Sequence, residues 1–456
     1  MLPPSGQPAR TPTKSLGIWS CTALVVGNIV GSGVFLLPAS LAPYGIYAVI
    51  AWVLTAIGAV ALALVFGRLA RSLPKSGGPY AYTRAAYGDF AGFWIAWGYW
   101  ICLWTGVAAI AVAFGSYLKV FIPALEGNPI LCGVASIAAV WLLAFVNSLG
   151  LRRASIVQIV TTIVKLLPLV AVAVVGVAWV DFSRIVAPIA SDLSPFAAVS
   201  SAATLALWAF LGLESATIPA EAVDRPERTI PRATVAGTIV CAVVYIASTV
   251  VLMGALPRET LAASQAPFAD AARAMWGEWA YYAVGFGAVV SCFGALNGWI
   301  LLTGQFPPAV ARDGLFPKRF ATLSSRGVPN FSIMTAVLLV TIMLALNYSG
   351  ANSLVTIFNF AILLSTLATL IPYVFCSLAP ILMRRSIPSM PPTRTRDRVI
   401  MAIAFIYSMW AIYGAGAQTV LLGFLLMIAG IPVYVWQRRN VPPRVADDGR
   451  PQARDY

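Results

Sequence analysis

The sequence predicts an all-α polytopic membrane protein with twelve membrane-spanning helices. Three observations lead there. First, 60% of the 456 residues are hydrophobic and only 10% are charged, where a soluble chain of this length carries roughly 25% charged residues; the mean hydropathy is +0.84. Second, the apolar residues gather in runs of about 20, the length a helix needs to cross a hydrocarbon core. Third, lysine and arginine concentrate in every other loop, as the positive-inside rule requires of a multi-pass chain.

In chain order the runs fall at 16–40, 45–68, 90–118, 129–150, 155–180, 195–218, 232–255, 279–305, 329–347, 352–380, 398–415 and 419–437. The first follows a polar, Pro-rich stretch, Met1–Ser15, and is too long for a signal-peptide core. The last two are short and are separated only by linker residues around Ala417 and Gln418. With the N-terminus in the cytoplasm, the basic clusters all fall on that side. They are Arg10 and Lys14; Arg68, Arg71, Lys75 and Arg84; Arg152 and Arg153; Arg225, Arg228 and Arg232; Arg312, Lys318, Arg319 and Arg326; Arg384, Arg385, Arg394, Arg396 and Arg398; and the tail from Arg438 to Arg454. The outer loops hold Lys119, Arg184, Arg258 and Arg273. A missed helix would invert this alternation downstream, so an even count with both termini cytoplasmic is expected. The clusters are explained by insertion, and no ligand is assigned to them.

Several function classes are excluded at this level. The net charge of +14 is spread over short clusters with no continuous basic face, so no nucleic-acid partner is expected. The chain has no histidine, which removes imidazole metal sites and histidine-based triads. Cys21, Cys102, Cys132, Cys241, Cys292 and Cys376 sit inside apolar runs without metal-ligand spacing, and read as small packing residues. No metal or other cofactor is expected. There is no P-loop for an ATP-driven pump, no nucleophile–base pair for an enzyme, and no ring of like charge or repeated filter loop for a channel.

Polar and ionisable groups inside apolar spans are costly, so each is a functional candidate. Lys165 in span 5 and Glu214 in span 6 stand out. Span 1 carries Gly27-Asn28-Ile29-Val30-Gly31-Ser32-Gly33, and each mid-helix glycine costs about 1 kcal/mol relative to alanine. These glycines suit either close helix–helix packing or a helix broken at Gly31-Ser32-Gly33. A break would expose amide N–H groups at the positive end of the second half-helix, ready for a carboxylate. The freed carbonyls around Ile29 could accept an ammonium. Span 6 offers a counterpart at Trp208-Ala209-Phe210-Leu211-Gly212-Leu213-Glu214-Ser215. Breaks in the first and sixth helices fit two stacked five-helix repeats of opposite orientation, the discontinuous-helix arrangement of secondary transporters.

At these residues the chain resembles the amino acid/polyamine/organocation transporter family. The resemblance runs from about Leu16 to Trp436, through GNIVGSGVFLLPASLA (27–42), SGGPYAYTRAAYG (76–88), TLALWAFLGLESA (204–216), APFADAARAMWG (266–277), GWILLTGQ (298–305), DGLFP (313–317) and TLIPY (369–373). Within the family it is most similar to the basic amino acid/polyamine antiporter branch, and there to the bacterial arginine/agmatine antiporters. The resemblance implies ten core helices in two inverted five-helix repeats with broken helices 1 and 6, two peripheral helices and a homodimer. It also implies a small amino acid or amine as cargo.

For the site, it implies a substrate carboxylate on the Ser32 and Gly33 amides and an α-ammonium on the carbonyls of Ile29, Trp208 and Leu211. Trp299 would line the pocket and stack on the cargo's side chain, Trp208 would cap it, and Ser365 would add a hydroxyl. Tyr99, Glu214 and Tyr373 would form a gating layer toward the cytoplasm, and Tyr80 would respond to pH. From the residues alone, Trp299 also suits lipid or core packing, the tyrosines suit interface anchoring, and Ser365 suits a bond to its own helix.

Two positions depart from the arginine-selective pattern. Val107 stands where those members carry a polar amide for the guanidinium. Lys165 stands where they have a small apolar residue; other branches place a lysine there, whose ammonium is thought to stand in for a sodium ion. Snorkelling is the rival reading for Lys165, but it lies about ten residues into span 5.

The expected organisation is a cytoplasmic tail (1–15), a transporter domain (16–437) and a cytoplasmic tail (438–456), in a bacterial inner (plasma) membrane. Within the transporter domain, helices 1–5 occupy about 16–180, helices 6–10 about 195–380, and helices 11–12 about 398–437. The expected function is sodium-independent antiport of a cationic amino acid against its decarboxylated amine or another amino acid. The alternative is a proton-coupled uptake permease for neutral amino acids.

Overall fold

A computed structural model describes residues 16–186, 193–348, 354–387, 390 and 392–439. The expected tails at 1–15 and beyond Arg439 lie outside the described residues. The chain is all α: among the described residues the one β contact is an isolated bridge between Leu16 and Val223. The helices, in order, are α1 (Ile18–Ile29), α2 (Ser32–Leu41), α3 (Ile46–Ser72), α4 (Pro79–Tyr87), α5 (Asp89–Leu118), α6 (Pro129–Ser148), α7 (Leu151–Val175), α8 (Phe182–Val186) and α9 (Pro195–Trp208). There follow α10 (Pro226–Ala255), α11 (Arg258–Ala263), α12 (Pro267–Trp276), α13 (Glu278–Arg312), α14 (Asn330–Tyr348), α15 (Leu354–Ser386), α16 (Thr395–Gly414), α17 (Ala417–Ile428) and α18 (Ile431–Arg439).

Among the described residues ten segments are long and apolar enough to cross a membrane. They include the broken pair α1–α2 and the jointed pair α17–α18. The protein is a multi-pass membrane protein. Its outer surface agrees: Ile163 and Leu338 are 63% and 54% exposed, where a soluble protein would bury such side chains or gather few of them into a patch. Two of the twelve expected spans differ from the other ten. The sixth stops being helical at Trp208 and continues as turns to Thr217. The eleventh, α16, opens on Arg396, Asp397 and Arg398.

Local sequence explains the ends. Asn128 caps α6 by accepting from the Leu131 N–H at 3.0 Å, and Ser194 caps α9 by accepting from the Ala197 N–H at 3.3 Å. Both satisfy amides that have no partner in their own helix. The short helices α4, α11 and α12 lie between spans, where the sequence reading placed loops. Each is too short to cross, and α12 buries Phe268, Ala269 and Ala272. Inside the bundle the largest buried side chains are Trp52, Tyr99, Tyr245, Tyr373, Phe66 and Lys165 among others. The core is therefore unusually rich in groups with a polar tip, and each tip needs a partner.

Candidate substrate site at two broken helices

The first span breaks where its glycines are. Helix α1 ends at Ile29, Val30 is extended at ψ 90°, Gly31 follows, and α2 starts at Ser32. The backbone N–H groups of Ser32 and Gly33 thus open a new helix, without intrahelical acceptors and at its positive end. The carbonyls that α1 frees are met by side chains from three other helices. Lys165 Nζ on α7 donates to Gly27 O and to Val30 O, both at 2.5 Å. Trp299 Nε1 on α13 donates to Asn28 O at 3.2 Å. The Tyr245 hydroxyl on α10 donates to Ile29 O at 2.6 Å.

The sixth span unwinds after Trp208. Leu211 N–H donates back to Trp208 O at 3.1 Å, and Ser215 N–H to Gly212 O at 2.9 Å. Between them Gly212 takes φ +100°, a conformation closed to most residues with a side chain. The two breaks face each other across a narrow cavity lined by Asn28, Ile29, Gly31, Gly33, Ile110, Trp208 and Trp299. Its free space is about 10 Å³, room for about one water, so the site stands closed down between the two breaks. The Trp208 and Trp299 rings close it, 5.5 Å apart and tilted at 41°. Trp299 can lie against α5 because residue 106 is glycine: a Cβ there would fall 2.3 Å from its ring.

Next to this cavity, Glu214 is buried at 2% exposure and clasped from two helices. Tyr99 on α5 donates to its Oε1 at 2.5 Å and Tyr373 on α15 to its Oε2 at 2.6 Å. Further out, the end of the bundle that carries the basic loops is tied shut. Leu16 and residues 222–224 exchange two backbone bonds, at 3.1 and 2.9 Å. Tyr80 on α4 donates to Asp313 Oδ2 at 2.7 Å, and Arg84 pairs with the same carboxylate at 2.6 Å. The opposite end is closed by Tyr117, whose hydroxyl donates to Phe35 O at 2.8 Å and accepts from Phe268 N–H at 3.2 Å.

Of the residues singled out from sequence, Ile29, Gly33, Trp208 and Trp299 line the cavity, and Ser32 contributes the first amide of α2. Tyr99, Glu214 and Tyr373 form one hydrogen-bonded layer. Lys165 is fully buried and grips the break in span 1, so it does not snorkel. Leu211 is buried in the turn of span 6 but does not line the cavity. Val107 is buried one turn from Ile110 on α5, and Ile110, not Val107, reaches the wall.

Ser365 departs from expectation. Its hydroxyl donates to Cys102 O at 2.8 Å, binding α15 to α5, and it is absent from the cavity lining. A serine facing a neighbouring helix in an apolar core can place its hydroxyl on a second lone pair of a helical carbonyl. Tyr80 lies at the basic end, and burial pushes its phenol up from its ordinary value, partly countered by Arg84. It therefore stays protonated at physiological pH.

The sequence reading missed Tyr245, Ile110, Asp313 and Arg84 as parts of the site or its seals. Tyr245 carried a signal: a polar tip in the middle of span 7. Ile110 carried none, because a wall residue of an apolar type looks like any other. Among the described residues no three His, Cys, Asp or Glu side chains gather as a metal would require.

A family model described as "Amino acid permease" matches residues 16–436. The chain belongs to the amino acid permease family. The permease is 37% identical over 366 residues to the cadaverine/lysine antiporter of Escherichia coli strain K12, covering 79% of this chain and 82% of that protein. It is 32% identical over 427 residues to the putrescine transporter PotE of Haemophilus influenzae, covering 92% and 97% of the two chains. With PotE of Escherichia coli strain K12 the identity is 30% over 428 residues, covering 93% and 97%. The resemblance read from 27–42, 204–216 and 298–305 is borne out at the level of the family. In this permease those stretches are the two breaks and the indole wall between them.

Proposed function

We propose that this permease is a secondary antiporter that exchanges a cationic amino acid for its decarboxylated amine, without sodium. The observation that carries the reading is the cavity between the two breaks. The free amides of α2 suit a carboxylate there. Ile29 O keeps one lone pair beyond its bond from Tyr245 and suits an ammonium. Losing the carboxylate leaves the ammonium contact and the Trp299 face intact, so amino acid and amine compete for one site. An aromatic face attracts a cation by about 0.5–2 kcal/mol, and Glu214 supplies the only carboxylate close to the cavity among the described residues. Relatives named for cadaverine, lysine and putrescine favour this over a permease for neutral amino acids.

Counterflow in proteoliposomes tests it. Labelled lysine, ornithine and arginine should enter vesicles loaded with cadaverine, putrescine or agmatine, and should fail to enter empty ones. Equal uptake into empty vesicles would refute exchange.

On the same reading the chain crosses the membrane twelve times, with α9 plus its unwound continuation and α16 as the two further spans. Two inverted five-helix repeats, broken at their first helices, account for the matched breaks, and the molecule works as a homodimer in a bacterial inner membrane. The basic end faces the cytoplasm. The Tyr99–Glu214–Tyr373 layer is the inner gate, and the Leu16–Val223 bridge and the Tyr80–Asp313–Arg84 cluster lie beyond it. A cysteine introduced at Arg319 should resist an impermeant thiol reagent added to intact cells, while a cysteine at Lys119 should react. Strong labelling at 319 would overturn the orientation.

On α5 the cavity meets Ile110, with Val107 one turn away, so that helix offers a guanidinium no hydrogen-bond partner. A buried guanidinium without its hydrogen-bond partner loses about 1–3 kcal/mol, so arginine should lead lysine, ornithine or a large neutral amino acid by no more than about tenfold, or 1.4 kcal/mol. Val107→Asn should shift preference toward arginine, and Trp299→Ala should weaken all cargo. Competition against one labelled substrate decides; a hundredfold preference for arginine in the unmodified protein would remove Val107 from the argument.

A further inference from the structure

The basic loops were explained by insertion alone, but the fold does more with four of their arginines than distribute them along one face. On α3, Arg68 and Arg71 lie one turn apart. On α10, Arg232 follows Pro231, and α3 and α10 touch there so closely that a Cβ at Gly67 would lie 3.2 Å from the Pro231 ring. Arg68 also pairs with Asp397 in the first turn of α16, and Asp397 in turn accepts the Arg394 N–H at 2.9 Å. These two contacts hold three helices, distant in sequence, around one cleft of about 660 Å³ lined by Arg68, Arg71, Arg232 and Arg396.

The charges in the cleft do not balance. Four arginines against the single carboxylate of Asp397 leave +3 (4 − 1) on its walls. Asp397 is already engaged by Arg68 and by the Arg394 amide. Arg71, Arg232 and Arg396 are exposed, and none has an ion pair among the described residues. The deeper wall is of the opposite character. Val235 and Ile239 continue along α10 and Ile400 along α16, with Ile239 46% exposed on the lipid-facing side. A guanidinium cluster at the membrane edge, opening onto an apolar wall that runs into the bilayer, matches one kind of molecule at both ends. Arginine binds phosphate oxygens in a bidentate fork, and basic pockets between transmembrane helices suit anionic lipid headgroups.

We propose that this cleft between α3, α10 and α16 is a binding site for an anionic phospholipid. Its phosphate would be held by Arg71, Arg232 and Arg396, and its acyl chains laid on the α10 and α16 wall. A soluble phosphate would satisfy the arginines but leave the apolar wall without a ligand, which is why the lipid is favoured. The site clamps α10 to α16. Since Tyr245, which holds the break at Ile29, is on α10, an occupied cleft would steady the frame on which the central cavity is built. The proposal does not depend on the identity of the cargo.

The test uses the purified full-length protein in detergent, with lipid binding read by native mass spectrometry and thermal unfolding. Dioleoyl phosphatidylglycerol, cardiolipin, phosphatidylcholine and inorganic phosphate are titrated separately. The expected result is saturable binding of the anionic lipids, with a rise in unfolding temperature that phosphatidylcholine does not give. The triple variant Arg71→Gln, Arg232→Gln, Arg396→Gln should lose that affinity at least about tenfold. A control triple, Arg312→Gln, Lys318→Gln, Arg319→Gln, removes as many charges elsewhere at the same end and should keep it. Equal loss in both triples would show a diffuse basic surface and overturn the site. Equal stabilisation by inorganic phosphate would make the occupant a soluble anion, and a cysteine at Ile239 that crosslinks to a second copy would make the cleft a subunit contact; either overturns the proposal. Because binding is measured without transport, its failure is separate from failure of the exchange reading.

Discussion

Glu214→Ala is expected to cut exchange at least about a hundredfold while the protein inserts and purifies normally. The carboxylate joins α5 and α15 to the unwound part of span 6 through Tyr99 at 2.5 Å and Tyr373 at 2.6 Å. Hydrogen bonds to a charged group contribute about 1.5–3 kcal/mol each, and a hundredfold in rate corresponds to about 2.7 kcal/mol. Losing both ties is enough. Stability suffers less, because hydrogen bonds between helices within membranes average only about 0.6 kcal/mol once the unfolded chain finds other partners. Glu214→Gln should fall between the two, since an amide keeps one acceptor oxygen and presents a donor to the second tyrosine. Exchange rates in proteoliposomes, normalised to folded protein by size-exclusion chromatography, measure the effect. Rates near the unmodified protein's in Glu214→Ala would sink the gating role.

Lys165→Met is expected to abolish exchange to a similar degree, for a different reason. The Lys165 nitrogen holds two carbonyls, Gly27 O in the last turn of α1 and Val30 O in the break itself, so it fixes how the chain leaves α1. Methionine keeps most of the volume but leaves two buried carbonyls without their donor, at about 1–3 kcal/mol each. The first amides of α2 and the lining residue Gly31 then lose their register against Trp208. We propose that the same nitrogen stands in for a bound cation, so replacing sodium with choline should leave exchange unchanged. Two results would end this account: clear sodium dependence of the unmodified protein, or near-normal exchange by Lys165→Met.

Much of the site was legible because membrane insertion makes unsatisfied polarity expensive. Lys165 and Glu214 were conspicuous as ionisable groups in apolar spans, and the glycines at 27, 31 and 33 announced a weak point in span 1. Each signal is local: it needs only the residue type and its depth in the run. The serine was different. Ser365 could be assigned a place in the pocket only by resemblance, and its hydroxyl went instead to Cys102 O, because which carbonyl lies within reach is decided by which helix packs beside it.

The sequence by itself determined the solvent, the helical class, the candidate breaks and the family, because hydropathy, glycine content and motif order are properties of the chain read in one dimension. It could not determine which helix supplies the partner for each freed group. Tyr245 on Ile29 O, Ile110 on the cavity wall, Asp313 beneath Tyr80, and the four arginines gathered between α3, α10 and α16 are pairings across more than a hundred residues of chain or between helices with no pattern in common. Only packing brings them together. In an apolar medium every backbone group released by a broken helix must find a donor or acceptor somewhere; the sequence shows that the debt exists, and the tertiary structure decides which side chain settles it.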